Sequence, residues 1–325
     1  MLSKKVRTFL ITAQRDGYEW AWADTCCIDK TSSADLTEAI NSMFRYYALS
    51  DVCYVYLHDV SGACFIGKED CRLDQEFGTS KWHTRGWTLQ ELIAPTSIRF
   101  MSQDWTLIGT KRELAESLEQ ITKIPASVLR FEKDVVDISI HGRMRWASGR
   151  RTTRVEDGAY CLFGLFGINL PTLYGEGQKA FYRLQEEIMR ISGDVSLFAW
   201  GAFRTFTGIR ELSAACKPEV SSNREDLRPM SHLLAPCSAA FNDWRGVQFA
   251  DMTDFTQVSF FINVSVLLNT PCSRLSVTRK TNSSGFHSYG AAAWKFRRSL
   301  GLRTGSMPAF KCFRLIGTTS LQISC

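Results

Sequence analysis

Glu91 stands inside WHTRGWTLQELIAP (residues 82–95), a stretch otherwise dominated by aromatic and aliphatic side chains. On a helix, Trp87 and Glu91 are i and i+4 and share a face, so the spacing sets a carboxylate beside an indole. A carboxylate in an apolar pocket with an aromatic wall can stabilise positive charge that develops in a transition state. The same glutamate can equally be a solvated helix former or a partner for Arg85, and Trp87 can be core. Two more carboxylates, Asp24 and Asp29, lie where a strand over 18–24 should end. Open α/β sheets bind ligands at that rim. The alternative for both is to cap the following turn or helix.

Other chemistry-bearing patterns are weaker. YGEGQKA (174–180) has a Gly-x-Gly before a helix, and a helix N-terminus can receive a phosphate. It lacks the third glycine and the Gly-Lys-Ser/Thr of a phosphate-binding loop, so a simple helix-entry turn is the plainer reading. RTTRVED (151–157), with Arg143, Arg145 and Arg150 before it, reads as a basic solvated turn or a phosphate contact. The 11 cysteines are scattered, odd in number and include the adjacent pair Cys26 and Cys27, which suggests reduced thiols in a cytoplasmic protein. No spacing of cysteines and histidines suggests a metal site.

The elements that must position these groups follow from periodicity. A buried strand is expected near 18–24. A helix follows over 32–51, with Leu36, Ile40, Met43, Phe44 and Tyr47 on one face and Ser32 or Ser33 as its cap. DVCYVYLHDV (51–60) then reads as a central strand. Strand, helix, strand implies a βαβ unit and a parallel sheet. Residues 61–80 read as a polar loop, a helix starts near Thr84 and stops before Pro95, and SIRFMS (97–102) is another strand. Thr110 and Glu113 form a capping box ahead of a helix carrying Leu114, Leu118 and Ile121. Helices are expected near 154–166 and 177–191, and one or two strands within 254–268. Residues 270–325 show no sustained period.

Net charge divides unevenly. Phe255–Cys325 contains nine Lys and Arg and no Asp or Glu, so a slightly acidic body carries a basic tail. The tail lacks a recognisable reading helix, which argues against nucleic acid as a partner. No run of apolar residues is long enough for a membrane span.

Three blocks, WADTCCIDKTSSADLTEAINSMFRYYALSDVCYVYLHDV, WHTRGWTLQELIAP and LPTLYGEGQKAFYRLQEEI, resemble the fungal heterokaryon-incompatibility (HET) domain family, from about residue 8 to 200. HLLAPCSAAF (232–241) is a weaker echo. The resemblance implies an α/β fold: a small parallel, TIR-like sheet core with an added α-helical layer and a poorly specified C-terminal tail. The expected organisation is a core over 1–105, a helical extension over 106–201 and a weakly specified region with the basic tail over 202–325.

The same resemblance implies roles. Family members act in non-self recognition and programmed cell death, through self-association or through other incompatibility proteins. The distant likeness to TIR domains matches Trp87-Thr-Leu-Gln-Glu91 to a W-x-x-x-E pattern. It thereby implies NAD+ as a substrate rather than a bound cofactor, Glu91 as the catalytic carboxylate, and Trp87, Asp24 and Asp29 as ligand contacts. NAD+ cleavage needs no general acid, because the pyridinium leaves neutral from an oxocarbenium-like ribose. Against the family pattern, the chain starts late: a first strand with a Ser-His-x-Trp-like motif is expected upstream of WADTCCID. That strand would sit mid-sheet, and its loss would leave an open edge there or an inactive relative.

Overall fold

The computed structural model describes residues 2–62, 72–200 and 233–242, together with the backbone of strands at 290–294, 312–316 and 320–324. Met1–Asp243 with His287–Cys325 forms one compact unit. Trp244–Phe286 forms a second, none of which is among the described residues. The strands expected within 254–268 therefore lie outside them.

Serines open the first two long helices. Ser3 accepts from the Val6 amide at 3.3 Å and caps α1 (Lys4–Arg15). That helix buries Val6, Phe9, Leu10 and Ala13, an i, i+3, i+4, i+7 stripe. Read from the sequence as a short apolar patch followed by charges, this stretch is not expected to be helical; the serine cap and the stripe are the signals passed over. β1 (Trp20–Ala23) runs directly into a single helical turn, α2 (Asp24–Cys27). Ser32 accepts from the Asp35 amide at 3.2 Å and caps α3 (Ser33–Ala48), which buries Ala39, Ile40, Met43, Tyr46 and Tyr47. β2 (Val52–Tyr56) follows, buried along nearly its whole length, as a central strand must be.

After β2 the expected polar loop contains a helix, α4 (Arg72–Thr79), with Phe77 buried. Its two apolar residues, Leu73 and Phe77, are i and i+4, a single repeat that is too short to establish a period. Next come α5 (Thr88–Ile93), β3 (Ile98–Met101) and β4 (Leu107–Thr110). Thr110 and Glu113 make the expected reciprocal box. The Thr110 amide and hydroxyl both donate to Glu113 Oε2 at 2.8 Å, and the Glu113 amide donates to Thr110 Oγ1 at 3.3 Å. The helices that follow are α6 (Ala115–Thr122), α7 (Ala126–Leu129), α8 (Ile140–Ser148), α9 (Asp157–Tyr160), α10 (Phe163–Phe166) and α11 (Lys179–Ile191). The helix expected over 154–166 is thus two short ones. Residues 233–242 pack back on this layer: Gln185 of α11 donates to the Ala235 carbonyl at 2.8 Å and accepts from its amide at 2.9 Å.

The sheet is mixed, not parallel. β2 and β3 pair in parallel, with Cys53 opposite Ile98, and β3 pairs antiparallel with β4. On the other side of β2 the neighbour is β5 (Gly290–Trp294), antiparallel to both β2 and β1. β6 (Cys312–Ile316) pairs with β1, and β7 (Ser320–Ser324) pairs with β6. The order is β4-β3-β2-β5-β1-β6-β7. β1 and β2 are therefore mutually parallel, as the strand–helix–strand reading requires, but they do not touch. The stretch 270–325, aperiodic in sequence, supplies three strands, and β5 fills the mid-sheet place that the sequence reading left open.

Helix α5 is clamped at both ends. Beyond its last turn, the buried Lys111 ammonium donates to the carbonyls of Leu92 at 3.1 Å, Ile93 at 3.4 Å and Pro95. Burial pushes that amine down to about 7. At the other end, Arg150 donates to the Arg85 carbonyl at 3.0 Å and to Thr88 Oγ1 at 2.8 Å. Thr88 in turn donates its hydroxyl to the carbonyls of Trp82 and Arg85. Between the ends, Gln90 donates to the Cys161 carbonyl at 2.6 Å. Arg150 is a half-buried clamp, not part of a solvated turn, and Arg143 likewise lies over the Phe166 ring at 4.7 Å.

Close packing between α3 and α10 depends on Gly164, where an added Cβ would run into Phe44 and approach Gln90. Gly164→Ala should therefore lower unfolding stability by about 2 kcal/mol, the range expected for overpacking. Gly149→Ala, where a Cβ meets nothing within 4 Å, should change it little. Urea denaturation of the two variants checks the contrast. Lys111→Met, which strands three carbonyls, should cost about 2 kcal/mol or more in the same assay.

Candidate functional site

The site forms where four elements converge on the carboxylate of α5. Glu91 is buried, with only 1% of its surface exposed. Tyr47 of α3 donates its hydroxyl to Oε1 at 3.2 Å, and Trp82 donates Nε1–H to Oε2 at 3.2 Å. An aromatic shell surrounds these donors. Trp22 of β1 packs edge-on against Tyr47 at 5.8 Å, and Trp82 does so against Phe100 at 5.6 Å. Next to Trp82, the buried His83 is pushed down to about 4 by desolvation, so it is neutral at physiological pH.

Asp24 is the second carboxylate. It stands at the first residue of α2, where β1 ends, and is 7% exposed. Its Oδ1 is buried with no hydrogen-bond partner. Burial pushes Asp24 up to about 6, against the pull of the Lys30 and Lys5 charges. Burial also pushes Glu91 up to about 7; the Asp24 charge adds to the rise, and the Trp82 and Tyr47 hydrogen bonds oppose it. Lys5 of α1 completes the group. Its ammonium lies over the Tyr56 ring at 5.4 Å, and burial lowers it to about 8 against the attraction of Glu91 and Asp24. Two carboxyl groups and one amine thus share a poorly solvated volume in which protonation is finely balanced.

Of the residues singled out in the sequence, Glu91 and Asp24 come together. Trp87 is half-buried at the N-cap of α5, and its indole interacts with Asp157; the indole bonded to Glu91 is that of Trp82. Asp29 closes a turn, accepting from the Thr31 amide at 2.9 Å and the Thr31 hydroxyl at 2.7 Å, which is the capping alternative. Sequence reasoning passed over Lys5, Tyr47 and Trp82. Tyr47 fits the apolar stripe of its helix, and only its polar tip hints at a buried acceptor.

The Gly-x-Gly turn is already occupied by a carboxylate. Gly175 and Gly177 adopt positive φ of 105° and 61°, and both amides donate to Glu156 Oε1, at 2.8 and 3.0 Å. The nest that a phosphate would use holds this chain's own acid, and the turn serves as a helix entry. Nearby, Tyr174 donates to the buried Asp157 at 2.9 Å. Cys26, Cys27, Cys53 and Cys161 are free thiols, but Cys237 is disulfide-bonded, so the expectation of reduced cysteines throughout does not hold. Among the described residues no group of His, Cys, Asp and Glu is arranged to hold a metal, and no helix is long and apolar enough to cross a membrane.

Residues 1–72 match the family model described as heterokaryon incompatibility protein (HET). This stretch of the chain is thus similar to the HET family. Residues 179–268 match a domain of unknown function, DUF8212. A similar curated protein is vegetative incompatibility protein HET-E-1 of Podospora anserina, 48% identical over 190 residues. The alignment covers 58% of this chain but only 14% of that protein. No solved structure matches the chain.

The raised Glu91 carboxyl has a thermodynamic signature. Below pH 4.5 it is protonated whether the chain is folded or not, and stability from this group is at its fullest. Between 4.5 and about 7 the unfolded chain releases the proton while the folded protein keeps it, so stability falls as pH rises. Asp24 acts in the same sense between 3.8 and about 6. Glu91→Gln removes one share. The stability lost by the variant between pH 4.5 and 7 should be smaller than in the wild type by on the order of 2–3 kcal/mol. Denaturation at a series of pH values checks it.

Proposed function

We propose that this chain acts in fungal heterokaryon incompatibility, as a signalling domain that associates with like domains or other incompatibility proteins and leads to a cell-death response. The observation that carries this reading is the 48% identity to a vegetative incompatibility protein over 190 residues. The geometry of Glu91 agrees with it. Both carboxylate oxygens already have donors and the side chain is shut away from solvent, as suits a residue that fixes α5 to α3. A cytoplasmic location belongs to the same proposal.

A second reading, hydrolysis of NAD+ in the manner of TIR enzymes, is favoured by one specific feature, the buried Asp24 Oδ1 with no partner beside a carboxyl poised near neutrality. In it, the cationic nicotinamide ring takes the place beside the acid pair that the Lys5 ammonium neighbours, and Glu91 stabilises the oxocarbenium ribose. The two readings separate on Glu91→Gln, which keeps size and helix preference. Expression of wild type and variant in hyphae, with NAD+ measured alongside growth, decides between them. The association reading expects growth arrest from both proteins and unchanged NAD+. Arrest and NAD+ loss with the wild type, both abolished in the variant, would replace it with the enzyme reading.

A further inference from the structure

Cys26 and Cys27 are adjacent and form the second half of α2, the single turn that Asp24 opens. Both are free thiols, but Cys26 is exposed and Cys27 is buried. Their contacts differ too. Cys27 Sγ accepts from the Ala23 amide at 3.4 Å, which pins it under the end of β1. Cys26 Sγ donates to the Ala23 carbonyl at 3.6 Å and accepts from the Thr25 hydroxyl at 3.9 Å. The two sulfurs also meet each other. A hydrogen bond from the Cys27 thiol is the largest influence on Cys26 and lowers its pKa, and the Thr25 hydroxyl acts in the same sense, against burial. Cys53 and Cys161 are free thiols as well, but both are buried, and burial pushes Cys161 up.

An accessible thiol that ionises easily, with a second thiol touching it, can react with an oxidant and then be resolved by its neighbour. We propose that Cys26 and Cys27 form a reversible oxidation site for hydroperoxides, of which hydrogen peroxide is the simplest. The Cys26 thiolate attacks one peroxide oxygen and the O–O bond breaks. Cys26 becomes the sulfenic acid, and the departing hydroxide takes up the proton that Cys26 released, giving water. The Cys27 sulfur then attacks the Cys26 sulfur and the S–O bond breaks. That hydroxyl leaves with the Cys27 proton as a second water. Two thiols have lost two electrons and two protons to one peroxide. Consecutive Cα atoms are about 3.8 Å apart, closer than the roughly 4.4–6.8 Å of an ordinary disulfide. The ring between neighbours is therefore strained and closes only if α2 unwinds at this peptide, which favours its reduction back to the dithiol. Asp24 opens the same turn, so the modification falls beside the acid cluster.

The tryptic peptide Asp16–Lys30 contains both cysteines and no others, so oxidation here is read from one fragment. Reduced full-length protein is treated with hydrogen peroxide, quenched with catalase, alkylated and digested for mass spectrometry. The peptide should appear two hydrogens lighter than the dithiol and unalkylated. Glutathione added before alkylation should restore two alkylated thiols. In Cys27→Ser, which lacks the resolving thiol, Cys26 should be caught by dimedone as the sulfenic acid; in Cys26→Ser, Cys27 should stay a thiol. Cys53 and Cys161 should remain reduced in the same samples. The proposal is overturned if the peptide stays a dithiol at a peroxide dose that oxidises glutathione in a parallel tube. It is equally overturned if the peptide gains oxygen atoms in place of the bond, or if the buried Cys53 and Cys161 oxidise as fast. The first measurement uses the unaltered protein, so it decides the matter even where a variant fails to fold.

Discussion

A carboxylate with 1% of its surface in contact with solvent is the constraint around which the N-terminal half of this chain is organised. Burying an unpaired charge costs several kcal/mol, so Glu91 must either be satisfied or be protonated. The structure does some of both. Tyr47 and Trp82 each supply a donor, and the remaining cost appears as a carboxyl pushed up to about 7. Because the donors come from α3 and from the turn before α5, satisfying one acid fixes how two segments lie against β1 and β3.

The rest of the described residues hold that arrangement still. Lys111 reaches back from beyond β4 to the carbonyls at the end of α5, and Arg150 reaches across from beyond α8 to its start. Gln90 ties the middle of α5 to Cys161 ahead of α10, where Gly164 lets α10 lie close to α3. These contacts explain why a six-residue helix, too short to be stable by itself, is placed so firmly. They also place cationic side chains from the α-rich stretch in buried structural roles, which composition alone does not disclose.

Much of this was legible in the chain. Ser32 capping α3, the Thr110–Glu113 box and the stripe of α11 all have local causes, so local patterns found them. What escaped was non-local. Lys5 joins the acid pair only because α1 packs beside β1, and Trp82 bonds Glu91 from nine residues away, outside any helical spacing. The indole beside Glu91 was expected from the i, i+4 rule to be Trp87, but that side chain interacts with the buried Asp157 instead, a contact no local spacing reveals. The parallel sheet failed for a similar reason. β5 enters from nearly the far end of the chain with a sequence of small residues that no periodicity identifies as a central strand.

The cluster depends most on the Glu91 carboxyl being buried beside a second acid and held by neutral donors. Carboxyl-carbon NMR titration of the selectively labelled protein reads this directly, with the Glu91 signal assigned through Glu91→Gln. A midpoint near 7, moving downward when Asp24 is replaced by Asn, is the expected result. A midpoint at the ordinary glutamate value near 4.5, unaffected by Asp24→Asn, would mean that the side chain is solvated and that the cluster described around it does not exist.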